Sequence, residues 1–252
     1  MANLAIIGYG RMGRIIERYA RERGHEITSI IDPNCPDCHT TISDDTLGES
    51  EICIDFSHPD SVMENMRHVL ELGRNMVVGT TGWFDHMESV RANVHQSGQG
   101  LIWSGNFSIG VNILFRILQH STHLFDGMPE YDVLAHEFHH RNKADSPSGT
   151  ARMISDILLD GISRKTRAVH DTLDRPIEAH EMHFTSSRGG SLPGTHLVMF
   201  DSEEDTIELR HTARGRDGFA YGAVLAAEFI QGKSGMYDVD DLMEAFISVE
   251  QT

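Results

Sequence analysis

Cations are the scarce charge in this sequence. Lys and Arg number 21 against 38 Asp and Glu, and between Arg23 and Arg67 there is neither. A nucleic-acid surface needs a basic stripe, so the shortage argues against a nucleic-acid partner. Long apolar runs are also missing: none approaches the ~20 residues of a membrane span. The start, MANLAIIGYG, has neither the cationic n-region nor the long apolar core of a signal peptide. A soluble cytoplasmic protein of one or two domains is expected, with no membrane partner. Cysteine is sparse as well. Cys35, Cys38 and Cys53 are too few for a disulfide framework. Cys35-Pro-Asp-Cys38-His39 matches the haem-attachment pattern, but that chemistry belongs to exported proteins, and a lone C-x-x-C is half a zinc site. It reads as a solvated loop holding two thiols. The sixteen histidines are scattered and mostly lack metal-ligand spacing, so no metal is expected. Internal repeats and low-complexity tracts are absent.

What is present begins at Leu4. An apolar run to Ile7 leads into Gly8-Tyr9-Gly10-Arg11-Met12-Gly13, and a helical pattern with Ile15, Ile16 and Tyr19 on one face follows. This is G-x-G-x-x-G between a strand and a helix. Gly8 permits the turn, Gly10 admits a pyrophosphate to the backbone, and Gly13 lets helix and strand pack closely. The unpaired N–H groups of the new helix face the phosphates. A second strand, Glu26 to Ile31, ends on Asp32, where an acid accepts from the adenosine ribose hydroxyls. The loop after Asp32 offers no cation to a 2′-phosphate, and Arg11 alone is a candidate to reach one. NADH is therefore expected over NADPH, with NADPH as a possible second cofactor.

Strand and helix patterns then alternate. Ile52 to Phe56, Met76 to Val78 and Leu101 to Trp103 read as strands; Ser61 to about Leu72 and Asp85 to His95 read as helices. The rhythm predicts a Rossmann-type, doubly wound parallel sheet, whose ligands bind beyond the carboxyl ends of the strands. Gly79-Thr80-Thr81 and Ser104-Gly105-Asn106-Phe107 lie at such ends. They are candidates to touch the nicotinamide half or, equally, ordinary strand-exit turns.

The rhythm changes after a helix from Val111 to Phe125. Tyr131 to His139 alternates like a strand, Ser146 and Pro147 are expected to start a helix, and three strand-like runs follow between Ala179 and Thr212. A helix from Phe219 to Gln231 comes after them. The expected architecture is a dinucleotide domain of residues 1–106 and 217–252 with an inserted α+β domain of residues 107–216.

Between these patterns lies HEFHHRNKADSPSGTA, from His136 to Ala151, a knot of cations in an acidic chain. It contains a literal H-E-x-x-H. On a strand, however, His136 and His140 would stand about 13 Å apart, too far for one metal. The alternative is an anion site. Gly149 and Thr150 in a first helical turn can cradle a carboxylate, and His140 and Lys143 can bind or neutralise a second. Lys143, surrounded by cations, is expected to give up a proton readily. With a nicotinamide domain, this describes a reductase of a small dicarboxylic acid.

The stretch resembles the signature of the dihydrodipicolinate reductases, E-x-H-H-x-x-K-x-D-x-P-S-G-T-A, present as Glu137 through Ala151. The resemblance extends through Gly8 to Gly13, Asp55-Phe56-Ser57, Gly79 to Gly82, Asn106-Phe107-Ser108, Arg188-Gly189-Gly190, Gly194-Thr195-His196 and Phe219 to Ala223. It implies that His139 is a proton donor or acceptor, Lys143 the proton donor, and His140, Gly149 and Thr150 the binders of substrate carboxylates. It places Ile7 through Gly13, Asp32, Gly79 to Thr81 and Ser104 to Phe107 on the cofactor. It also implies a homotetramer built on the substrate-domain sheets. Phe138 stands where the family usually has a small residue. Two other readings remain at this point: a reductase of another small dicarboxylate, and a non-enzymatic dinucleotide sensor.

Overall fold

The computed structural model describes residues 1–248 and divides into two compact units. The first comprises Met1–Ile109 and the chain from Arg216 on; the second is Gly110–Gly215.

The first unit is a six-stranded sheet with helices on both faces. Numbered along the chain, its strands are β1 (Asn3–Ile7), β2 (Glu26–Ile31), β3 (Ile52–Asp55), β4 (Asn75–Val78), β5 (Gly100–Trp103) and β11 (Gly235–Asp238). They lie in the order β11-β5-β4-β3-β1-β2, every pair parallel. Its helices are α1 (Arg11–Glu22), α2 (Asp44–Leu47), α3 (Pro59–Glu71), α4 (Met87–Ser97), α7 (Asp217–Ile230) and α8 (Val239–Ser248). Successive strand side chains point to opposite faces. Leu4, Ile6, Ile52, Ile54, Val77 and Ile102 therefore pack with Ile16 of α1 and Ala223, Ala227 and Ile230 of α7. Ala5, Ile7, Cys53, Met76, Val78 and Leu101 face Val62, Met66 and Val69 of α3 and Val90 and Val94 of α4. Cover on both faces explains why β3 and β4 read as continuous apolar runs rather than alternating ones.

The second unit is a five-stranded mixed sheet, order β10-β9-β6-β8-β7, with two helices. Its strands are β6 (Asp132–His139), β7 (Arg167–Val169), β8 (Glu181–Arg188), β9 (Thr195–Asp201) and β10 (Thr206–Thr212); α5 (Ile109–Asp126) leads into it and α6 (Gly149–Gly161) follows β6. β6 pairs parallel with β8 and antiparallel with β9. Val133, Ala135, Phe184, Val198 and Phe200 point inward onto Leu114, Leu118, Ile154 and Leu158 of α5 and α6.

Several local expectations change. α6 is capped by Ser148, whose Oγ accepts from Ala151 N at 3.1 Å, so Ser146 and Pro147 precede the helix instead of starting it. β11 and β7 are short strands with no alternating pattern to betray them, and α2 is a single turn capped by Ser43. The loop after β2 is a pair of turns, Cys35 N to Asp32 O and Cys38 N to Cys35 O, that bring the Cys35 and Cys38 Cα atoms to 5.3 Å. That spacing suits a disulfide, and the two are joined by one rather than left as thiols.

Gly222 of α7 lies hard against the chain just before α5, since a Cβ there would overlap the Phe107 carbonyl oxygen. Gly222→Ala should lower stability by about 1–3 kcal/mol through overpacking, read as a fall in Tm.

Candidate active site

In the first unit, the turns at the carboxyl ends of the strands form a cleft of about 500 Å³. Gly8 has φ +88°, a conformation that L side chains avoid, and a Cβ on it would strike the Phe56–Ser57 backbone. A Cβ on Gly13 would run into the Gly8 carbonyl, so α1 sits directly on the turn. At Gly10 nothing lies within 4 Å of where a Cβ would be. Gly10 is also the N-cap of α1 and supplies no side-chain cap, which leaves first-turn N–H groups directed at whatever approaches. These features fit a dinucleotide pyrophosphate. Asp32 is held at the lip, its Oδ2 accepting from Tyr9 N at 2.7 Å and its Oδ1 from Asn34 N at 2.8 Å.

Ile7, Gly8, Gly10 and Asp32 line this cleft together with Pro33, Asn34 and Thr40 to Ile42 of the disulfide-bearing loop. Tyr9 and Met12 instead pack partly into the core, Gly13 is buried, and Arg11 is exposed and not part of the lining. Gly79 lies against the Phe56 ring, where a Cβ would not fit. Thr80 is buried, and its Oγ1 donates to Asp55 Oδ1 at 2.6 Å while accepting from Ser57 N at 2.9 Å. Asn65 Nδ2 and Ser57 Oγ complete a cage around Asp55. Burial pushes the Asp55 carboxyl up, against the pull of the hydrogen bonds from Thr80, Ser57 and Asn65. Asp55 therefore ties the β3 and β4 exits together, a role no sequence motif announces. The β5 exit folds on itself: Ser104 Oγ accepts from Asn106 N at 2.9 Å and Asn106 Oδ1 from Ser108 N at 2.9 Å. Thr81 and Gly105 are exposed at these exits, and Phe107 is buried.

In the second unit the cationic stretch leaves the end of β6. Val133 and Ala135 point inward, so strand parity sends Glu137 and His139 inward too, with His136 and Phe138 on the opposite face. His136 is held by Thr185 Oγ1 at 2.6 Å and Ser187 Oγ at 3.0 Å, a structural role that disposes of the H-E-x-x-H reading. Glu137 is fully buried. Its Oε1 accepts from Ser148 N (2.9 Å), Ser186 Oγ (2.7 Å) and Arg188 Nη2 (2.8 Å). Its Oε2 lies 3.2 Å from His139 Nδ1 and 3.5 Å from His196 Nε2. On the other side of the ring, Gly194 fits against His139 Nε2; a Cβ there would come within 2.9 Å of it. Glu137, His139 and His196 present ligand atoms within 4.8 Å of one another. Arg188 already neutralises the carboxylate, however, so the cluster is charge-balanced without an ion.

Beyond His139, Gly189 N donates to the His139 carbonyl at 2.9 Å and Arg141 N to that of Gly190 at 3.3 Å, bracing the turn. His140 is half-buried, and its Nδ1 has no hydrogen-bond partner among the described residues. Lys143 is not surrounded by cations alone, as its sequence neighbours suggested: its Nζ pairs with Asp145 Oδ1 at 2.8 Å. Gly149 and Thr150 form the first turn of α6, and Gly149 faces open space. Glu137, Ser186, Arg188 and His196 are the functional candidates the sequence reasoning left without roles. The available signal was the parity of β6, which puts a carboxylate on its apolar face.

Burial drives the His139 pKa down to about 4; Glu137 pulls upward, while His196, Lys143 and Arg188 push further down. Burial alone would raise Glu137, but contacts from His196, Ser148, Arg188 and Ser186 outweigh it and hold the carboxyl well below its usual range. His139 is thus a neutral imidazole at neutral pH. The unfolded chain, with an ordinary histidine near 6.5, binds the extra proton between that value and about 4. Stability must therefore fall as pH drops through the window. The Tm of the wild type should fall more steeply than that of His139→Gln as pH is lowered from neutral through the same range.

Two family profiles match the chain: "Dihydrodipicolinate reductase, N-terminus" over residues 2–107 and "Dihydrodipicolinate reductase, C-terminus" over residues 110–243. The 4-hydroxy-tetrahydrodipicolinate reductase of Christiangramia forsetii is 35% identical over 243 residues, 96% of this chain and 97% of the relative. That of Cupriavidus necator is 33% identical over 264 residues, 96% and 98% of the two chains. Among solved structures, a dipicolinate-bound dihydrodipicolinate reductase from a Paenisporosarcina species superposes with a TM-score of 0.77 at 20% identity, over 94% of this chain and 97% of that one. A mutant meso-diaminopimelate dehydrogenase from Clostridium tetani shares the fold with a TM-score of 0.57 at 15% identity. From its nucleotide-binding turn to its second sheet, the chain belongs to the dihydrodipicolinate reductase family.

Proposed function

We propose that this chain reduces 4-hydroxy-tetrahydrodipicolinate to tetrahydrodipicolinate, in lysine and diaminopimelate synthesis, as an NAD(P)H-dependent oxidoreductase. The observation that carries the reading is the β6–α6 segment. It places His139, His140, Lys143 and the first turn of α6 in one stretch beside a buried, neutralised carboxylate. The first unit is the dinucleotide-binding domain, and the second binds substrate and supports oligomerisation. A reduced nicotinamide dinucleotide supplies hydride.

The chain's own residues do the rest. Gly149 and Thr150 hold one carboxylate of a ring dicarboxylate at the α6 N-terminus, where backbone N–H groups favour an anion. His140, whose Nδ1 has no hydrogen-bond partner among the described residues, and the Lys143 ammonium meet the other. The 4-hydroxyl leaves as water, the ring carbon that bore it is the one reduced, and Lys143 delivers a proton to the carbon beside it. His139, kept neutral by burial at neutral pH, stands beside Lys143 and assists it.

The cofactor contacts proposed are Ile7 through Gly13, Asp32, Gly79 to Thr81 and Ser104 to Phe107, with NADH preferred over NADPH. The cleft lining carries Asp32 and Glu64, and no Lys or Arg is among its described residues, so a 2′-phosphate would meet anions. A homotetramer in the cytoplasm completes the reading. Leu134, Leu197 and Met199 form an outward apolar row on the second sheet, which supports assembly through that face. No helix among the described residues is long and apolar enough to cross a membrane.

The decisive assay couples the purified protein to dihydrodipicolinate synthase and follows loss of NADH absorbance; no oxidation of either cofactor would refute the reading. Lys143→Ala should lower turnover by about 10²–10⁴-fold, the usual worth of a general acid, with NADH affinity unchanged. A dinucleotide sensor would be indifferent to that change. In steady-state kinetics NADH should exceed NADPH in kcat/KM by at least about tenfold, or ~1.4 kcal/mol. Equal use of NADPH would overturn the preference.

A further inference from the structure

We propose that Glu137 is a positioning residue for the reaction: it fixes His139 in the tautomer whose Nδ1 carries the proton, leaving the Nε2 lone pair for the reacting centre. The proposal rests on the functional reading above for its catalytic half; its tautomer half rests on geometry alone.

Glu137 Oε2 and His139 Nδ1 are both buried, both lack an aligned hydrogen-bond partner among the described residues, and lie 3.2 Å apart. A carboxylate oxygen can only accept. If Nδ1 held a lone pair, two electron-rich atoms would face each other in a dry pocket. With the proton on Nδ1, each satisfies the other after a small adjustment of the ring. Leaving two such groups unmet would cost their desolvation.

The carboxylate is not free to turn away. Its Oε1 is fixed by three donors from two places: Ser148 N at the cap of α6, and Ser186 Oγ and Arg188 Nη2 at the end of β8. Arg188 Nη2 also donates to the Asp145 carbonyl at 2.7 Å, so the clamp extends to the residue that pairs with Lys143. Gly194 restrains the ring from its other edge, and His196 meets it edge-on at 5.4 Å. The charged and titratable groups facing His139 are thus Glu137 from its own strand, Arg188 from β8, His196 from β9 and Lys143 from the following turn. With Arg188 balancing Glu137, the carboxylate orients the ring without converting it to an imidazolium. A carboxylate-oriented imidazole of this kind is a familiar device for setting which ring nitrogen works.

The test begins with the wild type. ¹⁵N-histidine NMR of the full-length wild type at neutral pH, with the His139 signals identified by their loss in His139→Gln, should show Nδ1 protonated and Nε2 bare. Glu137→Gln should shift His139 toward the Nε2–H form or a mixture. It should also cut kcat about 10- to 100-fold, with the NADH dissociation constant unchanged. In the double variant with His139→Gln, the Glu137→Gln change should add little further loss, because both act through one ring. An Nε2–H tautomer in the wild type, or losses that multiply in the double variant, would overturn the proposal. Wild-type protein inert toward the substrate would instead overturn the functional reading, and the spectrum would still decide the tautomer.

Discussion

The constraint on which the second unit depends is the buried charge of Glu137. A carboxylate with no exposed surface is tolerable only if its attraction to neighbours offsets its lost hydration, and here a guanidinium, a hydroxyl and a helix-capping N–H do so on one oxygen. Those three donors belong to β8 and to the start of α6. One side chain therefore sets where the helix begins relative to the strand that carries His139. The first turn of α6 and the imidazole therefore share that origin.

The first unit solves a parallel problem with a different carboxylate. Asp55 stands at the end of β3, and its partners Ser57 and Thr80 are the second residues of two neighbouring strand exits. Where Glu137 is charge-balanced by an arginine, Asp55 meets only neutral donors, and its carboxyl is correspondingly pushed up rather than down. The first holds a charge in place; the second holds two loops together.

Much of this was legible in the sequence because the signals were local. The Gly8 to Gly13 turn, Asp32 at the end of β2, and Gly149-Thr150 at a helix start each follow from backbone rules acting within a few residues. The parts that were not legible depend on partners distant along the chain. Ser148 outcompetes Ser146 as the cap because its own N–H is drawn to Glu137, eleven residues earlier. Lys143 looked crowded by cations in sequence, yet Asp145 turns back to meet it. β11 has a half-buried, patternless strand because only pairing with β5 makes it one. Glu137 itself was visible only as a letter in a motif; its meaning lies in the parity of β6, which few single residues disclose.

That parity has a consequence for the chain's folding. Alternation along β6 sends Val133 and Ala135 into the apolar core and Glu137 and His139 into the site with the same stroke. A slip of one residue in pairing would turn all four outward together. A slip of that kind cannot keep the core sound and lose only the chemistry, or the reverse. The core and the imidazole side chain are therefore held to one register by the same alternation.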